Sequence, residues 1–85
     1  MQEFTYTIKD ADGIHARPAG ILVKKAGEFA AAITLHCGEK AGDAKRIFSV
    51  MSMGIRCGDR VQVMIEGEDE KEAATELKNF FAENL

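Results

Sequence analysis

The spacing of apolar residues changes repeatedly along this chain, and that change is the feature that most narrows its fold. Around Phe4, Tyr6 and Ile8 they alternate with Thr5 and Thr7, so residues 2 to 9 read as a strand with one face toward a core. From Ala16 to Gly27 the period becomes helical, with Ala19, Leu22, Val23 and Ala26 on one stripe and Gly27 as the stop. Alternation returns from Ala31 to Cys37, where Ile33, Leu35 and Cys37 point inward and Thr34 and His36 the other way, leaving His36 an exposed strand residue. Gly38-Glu39-Lys40 is hairpin chemistry, and a short strand follows near Ala41 to Ala44. Arg46 to Met53 reads as a short helix, and Arg60 to Gly67 as the clearest strand, with Val61, Val63 and Ile65 inward. Asp69 or Glu70 opens a last helix through Asn84, whose buried stripe is expected to be Ala73, Ala74, Leu77, Phe80 or Phe81, and Leu85.

Strand, helix, strand, strand, helix, strand, helix predicts an α+β fold of two layers. The expected form is an open-faced sandwich, a four-stranded antiparallel sheet with three helices on one face. At 85 residues the chain is expected to be a single domain, 1–85, with a thin core. A formal net charge of −3 argues against a general nucleic-acid binder. No apolar run approaches membrane-spanning length, and the first residues lack the basic-then-apolar layout of an export signal, so no membrane insertion and a cytoplasmic location are expected. Cys37 and Cys57 are the only cysteines, and both are expected to be reduced thiols. A metal site drawn from Cys37, Cys57, His15 and His36 matches no recurrent ligand spacing, so no metal is expected.

The chemistry gathers between the first strand and the first helix, in Gly13-Ile14-His15-Ala16-Arg17-Pro18-Ala19. Asp10-Ala11-Asp12-Gly13 is turn chemistry, which leaves His15 at or near the N-cap of the helix. The first N–H groups of a helix lack partners and carry the positive end of its dipole, so they favour an anion. A neutral imidazole there keeps a lone pair that can attack phosphorus. The phosphoryl group would lie against the amides of Ala16 and Arg17, while the Arg17 guanidinium can grip two of its oxygens. Pro18 has no N–H, which costs little in a first turn, but it disfavours helical backbone at Arg17. A carboxylate at Asp12 would repel phosphate, so Asp12 is expected to face away or to cap the turn. The plainer reading of His15, Arg17 and Pro18 is turn and capping punctuation with no chemistry.

The Gly13 to Ala19 stretch resembles the active-site signature of HPr, the histidine-containing phosphocarrier family of the bacterial phosphotransferase sugar system (PTS). The resemblance runs over nearly the whole chain, including Lys45-Arg46-Ile47-Phe48-Ser49-Val50-Met51-Ser52-Met53-Gly54-Ile55, which is similar to the family's second-helix region. It implies His15, through Nδ1, and Arg17 as the catalytic pair, with Ala16 and Pro18 stabilising phosphate. It also implies a partner-binding patch of Ile47, Phe48, Met51 and Gly54, joined here by Arg46. The short helix does hold more apolar positions than one buried stripe needs, although Ile47 and Met51 fit a core equally well. The implied partners are Enzyme I, itself charged by phosphoenolpyruvate, and the sugar-specific IIA domains of permeases. No cofactor is implied, and the chain is expected to be a monomeric carrier rather than an enzyme.

One departure stands out against that resemblance. Members with a regulatory serine carry it immediately before the Ile47-Phe48 pair, where this chain has Arg46, so the serine switch is expected to be missing. Nothing marks Ser49 or Ser52 as a substitute. The alternative is a regulatory paralogue, of the nitrogen branch or similar, acting by phosphorylation-dependent protein binding. A different class on the same two-layer plan, an acylphosphatase-like hydrolase or an RNA reader, lacks here its phosphate loop or its basic, aromatic sheet.

Overall fold

The computed structural model describes residues 1–85. Its elements are β1 (Gln2–Thr7), α1 (Ala16–Ala26), β2 (Ala32–Cys37), β3 (Lys40–Asp43), α2 (Ile47–Met51), β4 (Arg60–Glu66) and α3 (Glu70–Asn84). The sheet order is β1-β4-β2-β3, and every neighbouring pair is antiparallel. Phe4, Val63, Leu35 and Gly42 stand opposite one another across all four strands, so the register sends one alternate set of side chains into the core. This is the expected open-faced α+β sandwich.

Where element ends differ from the periodic pattern, a tertiary hydrogen bond takes over. Ile8 is fully buried, as its strand pattern requires, but its N–H donates to the Asp59 carbonyl, and that of Lys9 to the backbone oxygen of Leu85, so β1 ends at Thr7. Cys37 pairs with Lys40 across a two-residue turn, which starts β3 one residue earlier than expected. The N–H groups of Met53 and Gly54 reach back only three residues, to Val50 and Met51, and this tightening closes α2 at Met51. Gly27 caps α1 in right-handed geometry, φ −66°, so it stops the helix without a left-handed turn.

The core is one cluster of 22 buried residues with no buried polar side chain. In α1 the buried positions are Pro18, Ala19, Leu22 and Ala26, while Val23 is half-buried. In α3 the whole predicted stripe is buried, and it takes both Phe80 and Phe81. The Phe81 ring meets Phe4 and Tyr6 edge-on at 5.7 Å each, and Phe80 at 6.2 Å. At the other end of α3 the Asp69 carboxylate accepts the N–H groups of Ala30, at 2.8 Å, and Ala31, at 2.9 Å. Those bonds, the one from Ala30 foremost, hold its carboxyl below the usual range and tie the α1–β2 loop to α3.

Phe81→Ala should therefore cost about 3 to 5 kcal/mol of unfolding free energy in urea titrations, whereas Phe48→Ala should change it by less than about 0.5 kcal/mol. Comparable losses at the two positions would contradict this packing.

Candidate functional site

The segment leading to His15 is fixed by backbone bonds rather than by functional side chains. The N–H groups of Lys9 and Asp10 donate to the backbone oxygen of Leu85 at 2.6 and 2.8 Å. The Asp10 carbonyl accepts the Gly13 N–H at 3.0 Å, and its Oδ1 accepts the Asp12 N–H at 2.9 Å. Gly13 has φ +67°, and a Cβ there would sit 2.4 Å from the Ile55 carbonyl oxygen, so only glycine fits. That same oxygen accepts the Ile14 N–H at 3.1 Å, and the Ile14 side chain is buried beneath. The chain is thus pinned between the end of α3 and the segment after α2, and His15 emerges exposed.

His15 is the N-cap of α1, in extended geometry with φ −90° and ψ −172°. Its carbonyl accepts the Ala19 N–H at 2.9 Å, but its imidazole makes no capping bond and stays available. The N–H groups of Ala16 and Arg17 donate to nothing in the protein. Arg17 is helical despite Pro18 beside it. The ring falls where no donor is needed, because the first helical bond comes from Ala19. His15, Arg17, Pro18, Asp10, Asp12, Ile21 and Asn84 line one open depression of about 370 Å³.

Asp12 corrects an expectation. Asp10, not Asp12, supplies the carboxylate that caps the turn, and Asp12 does not face away. Ligand atoms of Asp10, Asp12 and His15 all lie within 4.8 Å of one another. A cation is disfavoured there by the helix N-terminus and by Arg17 in the same depression. No three of Cys37, Cys57, His15 and His36 come together. His36 is half-buried on the uncovered sheet face, opposite Gln62 and Ala41, rather than exposed. The free Cys37 thiol is pushed up, by burial first and by Asp59 second, which makes it a poor nucleophile.

The apolar patch lies on α2 and the neighbouring face of α1. Phe48 is 83% exposed and Met51 39%, while Val50 and Met53 point into the core. Ile47 is half-buried against the core, and a Cβ on Gly20 of α1 would sit 3.7 Å from its Cδ1. Met51 is thus a surface residue, and Ile47 serves both surface and core. Arg46, the exposed N-cap of α2, and Gly54, exposed beyond its end, border the patch. Ile21, 44% exposed in the His15 depression, was missed; its one sequence signal was an apolar residue off the buried stripe. Asn84 carries no such signal, because only the packing of α3 brings it to the site. Ser49 Oγ accepts the Asp43 N–H at 2.8 Å, and Ser52 Oγ donates to the Ser49 carbonyl at 2.9 Å, so both hydroxyls are engaged within the protein.

A helix opening on an uncapped histidine, at the rim of a one-sided sheet, is the arrangement of the histidine-containing phosphocarriers. The chain belongs to the HPr family of these proteins: residues 2–83 match the family described as PTS HPr component phosphorylation site. It is 41% identical over 83 residues to phosphocarrier protein HPr of Lysinibacillus sphaericus, covering 98% of this chain and 94% of that one. The HPr-C-His crystal structure from Thermoanaerobacter tengcongensis superposes with a TM-score of 0.92 at 38% identity, covering 96% and 92% of the two chains. Crh of Bacillus subtilis, a catabolite repression protein described as a domain-swapped dimer, is similar with a TM-score of 0.78 at 30% identity, covering 100% of this chain and 98% of that one. No helix here is long and apolar enough to cross a membrane.

Gly13→Ala should lose about 2 to 4 kcal/mol, from left-handed strain together with the clash at Ile55. Gly38→Ala, also at positive φ but with nothing within 4 Å of the added carbon, should lose only about 1 to 2 kcal/mol. Urea unfolding of the two variants side by side checks the difference.

Proposed function

We propose that this chain is the phosphocarrier of a PTS. His15 accepts a phosphoryl group from phosphorylated Enzyme I and passes it to the IIA domains of sugar permeases. The observation that carries this reading is the uncapped His15 imidazole beside the free N–H groups of Ala16 and Arg17. The Nδ1 lone pair of neutral His15 attacks phosphorus on the phosphohistidine of Enzyme I. A new N–P bond forms as the donor's N–P bond breaks, and the donor imidazole recovers its electron pair. The two amides and the Arg17 guanidinium take up the charge on the phosphoryl oxygens, and Pro18 sets the helix start that aims them. Ala16 and Arg17, which supply these groups, are exposed, so their grip is weak enough for the onward transfer.

On this reading the chain is a carrier and not an enzyme, because it leaves the reaction changed and is restored only by its next partner. It works as a single cytoplasmic domain and as a monomer, and catalysis needs no metal on it. Ile47, Phe48, Met51, Gly54 and the newly found Ile21 give Enzyme I and the IIA domains an apolar surface around His15. Arg46 adds a positive charge that draws in acidic partners. The missing regulatory serine favours one second reading, a regulatory paralogue of the nitrogen branch or similar whose phosphorylated form binds a target. A paralogue of the catabolite-repression type would lack the histidine, so His15 argues against that branch. Retention of His15 and Arg17 suits both.

Incubation with Enzyme I, magnesium and phosphoenolpyruvate should add one acid-labile phosphoryl group to the intact mass of the wild type and none to His15→Ala. Arg17→Ala should slow the transfer about 10- to 100-fold, the worth of a charge-assisted pair of hydrogen bonds. Uptake by the wild type without transfer to any IIA domain would move the regulatory reading to first place.

Arg46→Ser tests the second consequence. The family's serine kinase with ATP should leave the wild type unmodified but phosphorylate Arg46→Ser, and that substitution should raise the Michaelis constant for Enzyme I at low salt. Phosphate found on Ser49 or Ser52 of the wild type would overturn the loss of the serine switch.

A further inference from the structure

The two carboxylates beside His15 have no place in the transfer as described. Asp10 has a structural task, since its Oδ1 holds the turn through the Asp12 N–H. Asp12 has none: its carboxylate is exposed and enters no ion pair and no hydrogen bond. Yet the turn brings it within 4.8 Å of a ring nitrogen of His15. No hydrogen bond joins either carboxylate to the imidazole, so neither orients the ring. What remains is charge. Once His15 carries a phosphoryl group, a dianion faces the Asp12 carboxylate across a few ångströms.

We infer that Asp12 is a built-in repulsive charge that raises the free energy of the phosphorylated chain and biases it toward donation. The inference rests on the phosphocarrier reading and deepens it. The attracting groups, the amides of Ala16 and Arg17 with the guanidinium, speed formation and breakage of the N–P bond alike where they act most strongly on the transition state. The Asp12 charge acts on the phosphorylated ground state, because there the full dianion is held in place. It therefore sets the equilibrium of exchange. Its charged neighbours are one carboxylate and one cation: Asp10 adds to the repulsion, and Arg17, lining the same depression, offsets part of it. The isolated position of Asp12 means that its charge can be removed without breaking the turn, since the bond to Asp10 uses its backbone N–H.

The test is the equilibrium of phosphoryl exchange, read as the phosphorylated fraction by intact mass in the presence of Enzyme I and a fixed ratio of phosphoenolpyruvate to pyruvate. Asp12→Asn should increase the equilibrium constant for the phosphorylated form by roughly three- to tenfold at low salt, the size expected for a charge facing a dianion a few ångströms away in water. The increase should shrink to less than about twofold in 1 M salt, where the screening length is about 3 Å. Asp12→Ser should behave the same way, and it serves if the asparagine variant folds poorly. A structural or docking role for Asp12 would change rates and leave this equilibrium where it was. An equilibrium constant unchanged in both variants, a fall in place of a rise, or a rise indifferent to salt would overturn the inference while the phosphocarrier reading stood. A wild type that takes no phosphoryl group from Enzyme I would sink both.

Discussion

A chain of 85 residues can cover one face of a four-stranded sheet and no more, and the rest of this structure depends on that limit. The residues that register sends inward are Val, Ile, Leu, Gly42 and, on β1, Phe4 and Tyr6, and no polar side chain is buried among them. All of the cover must come from three helices on one side, of which α3 is the longest and α2 only five residues. The long helix takes the edge at β1, where Phe81 packs among Phe4, Tyr6 and Phe80. The other two share what remains, and so α1 and α2 must touch. Ile47 near Gly20 is that contact, and it sets the exposed side of α2 beside the helix that begins at His15.

Chemistry is then possible only at the rim, and the rim is held by backbone. The Leu85 and Ile55 oxygens pin the segment on either side of the Asp10 turn, and Gly13 allows the close approach that the second of these requires. No side chain of the His15 depression is spent on this except Asp10. An N-cap residue ordinarily turns its side chain back to the helix amides. His15 does not, so both its imidazole and the N–H groups of Ala16 and Arg17 stay free, an arrangement that suits a group to be acquired and then released. On the phosphocarrier reading, attraction from the amides and Arg17 set against repulsion from Asp12 keeps the binding from becoming a trap.

The periodic elements were legible because a buried stripe is a local property of sequence. Their ends were not, since Ile8 leaves the sheet for Asp59 and Lys9 for Leu85, and neither partner is visible from the strand itself. The doubt between Phe80 and Phe81 came from an α3 stripe wide enough for both. The signature around His15 placed that histidine at the helix start without any knowledge of packing. Asp10 and Asp12 could not be told apart, because both are residues that cap turns, and only the hydrogen bond shows which one does. Ile47 and Met51 stayed ambiguous because five helical residues make too short a stretch to define a face.

The division of labour that results is uneven in an informative way. His15, Arg17, Arg46 and Phe48 are exposed, so their substitution should have little effect on folding, and on the phosphocarrier reading it acts on transfer and docking. Gly13, Ile14 and Pro18 are buried and also carry the backbone that aims His15, so changes there act on both at once. Ile47 belongs to the second group although it lies on the exposed apolar patch, because part of its side chain packs on the core between α1 and α2. The short helix is anchored by fully buried Val50 and by half-buried Ile47, and Ile47 reaches toward α1. The exposed face of α2 and the start of α1 are thus joined through Ile47, so on the phosphocarrier reading a partner seated on the patch lies beside His15.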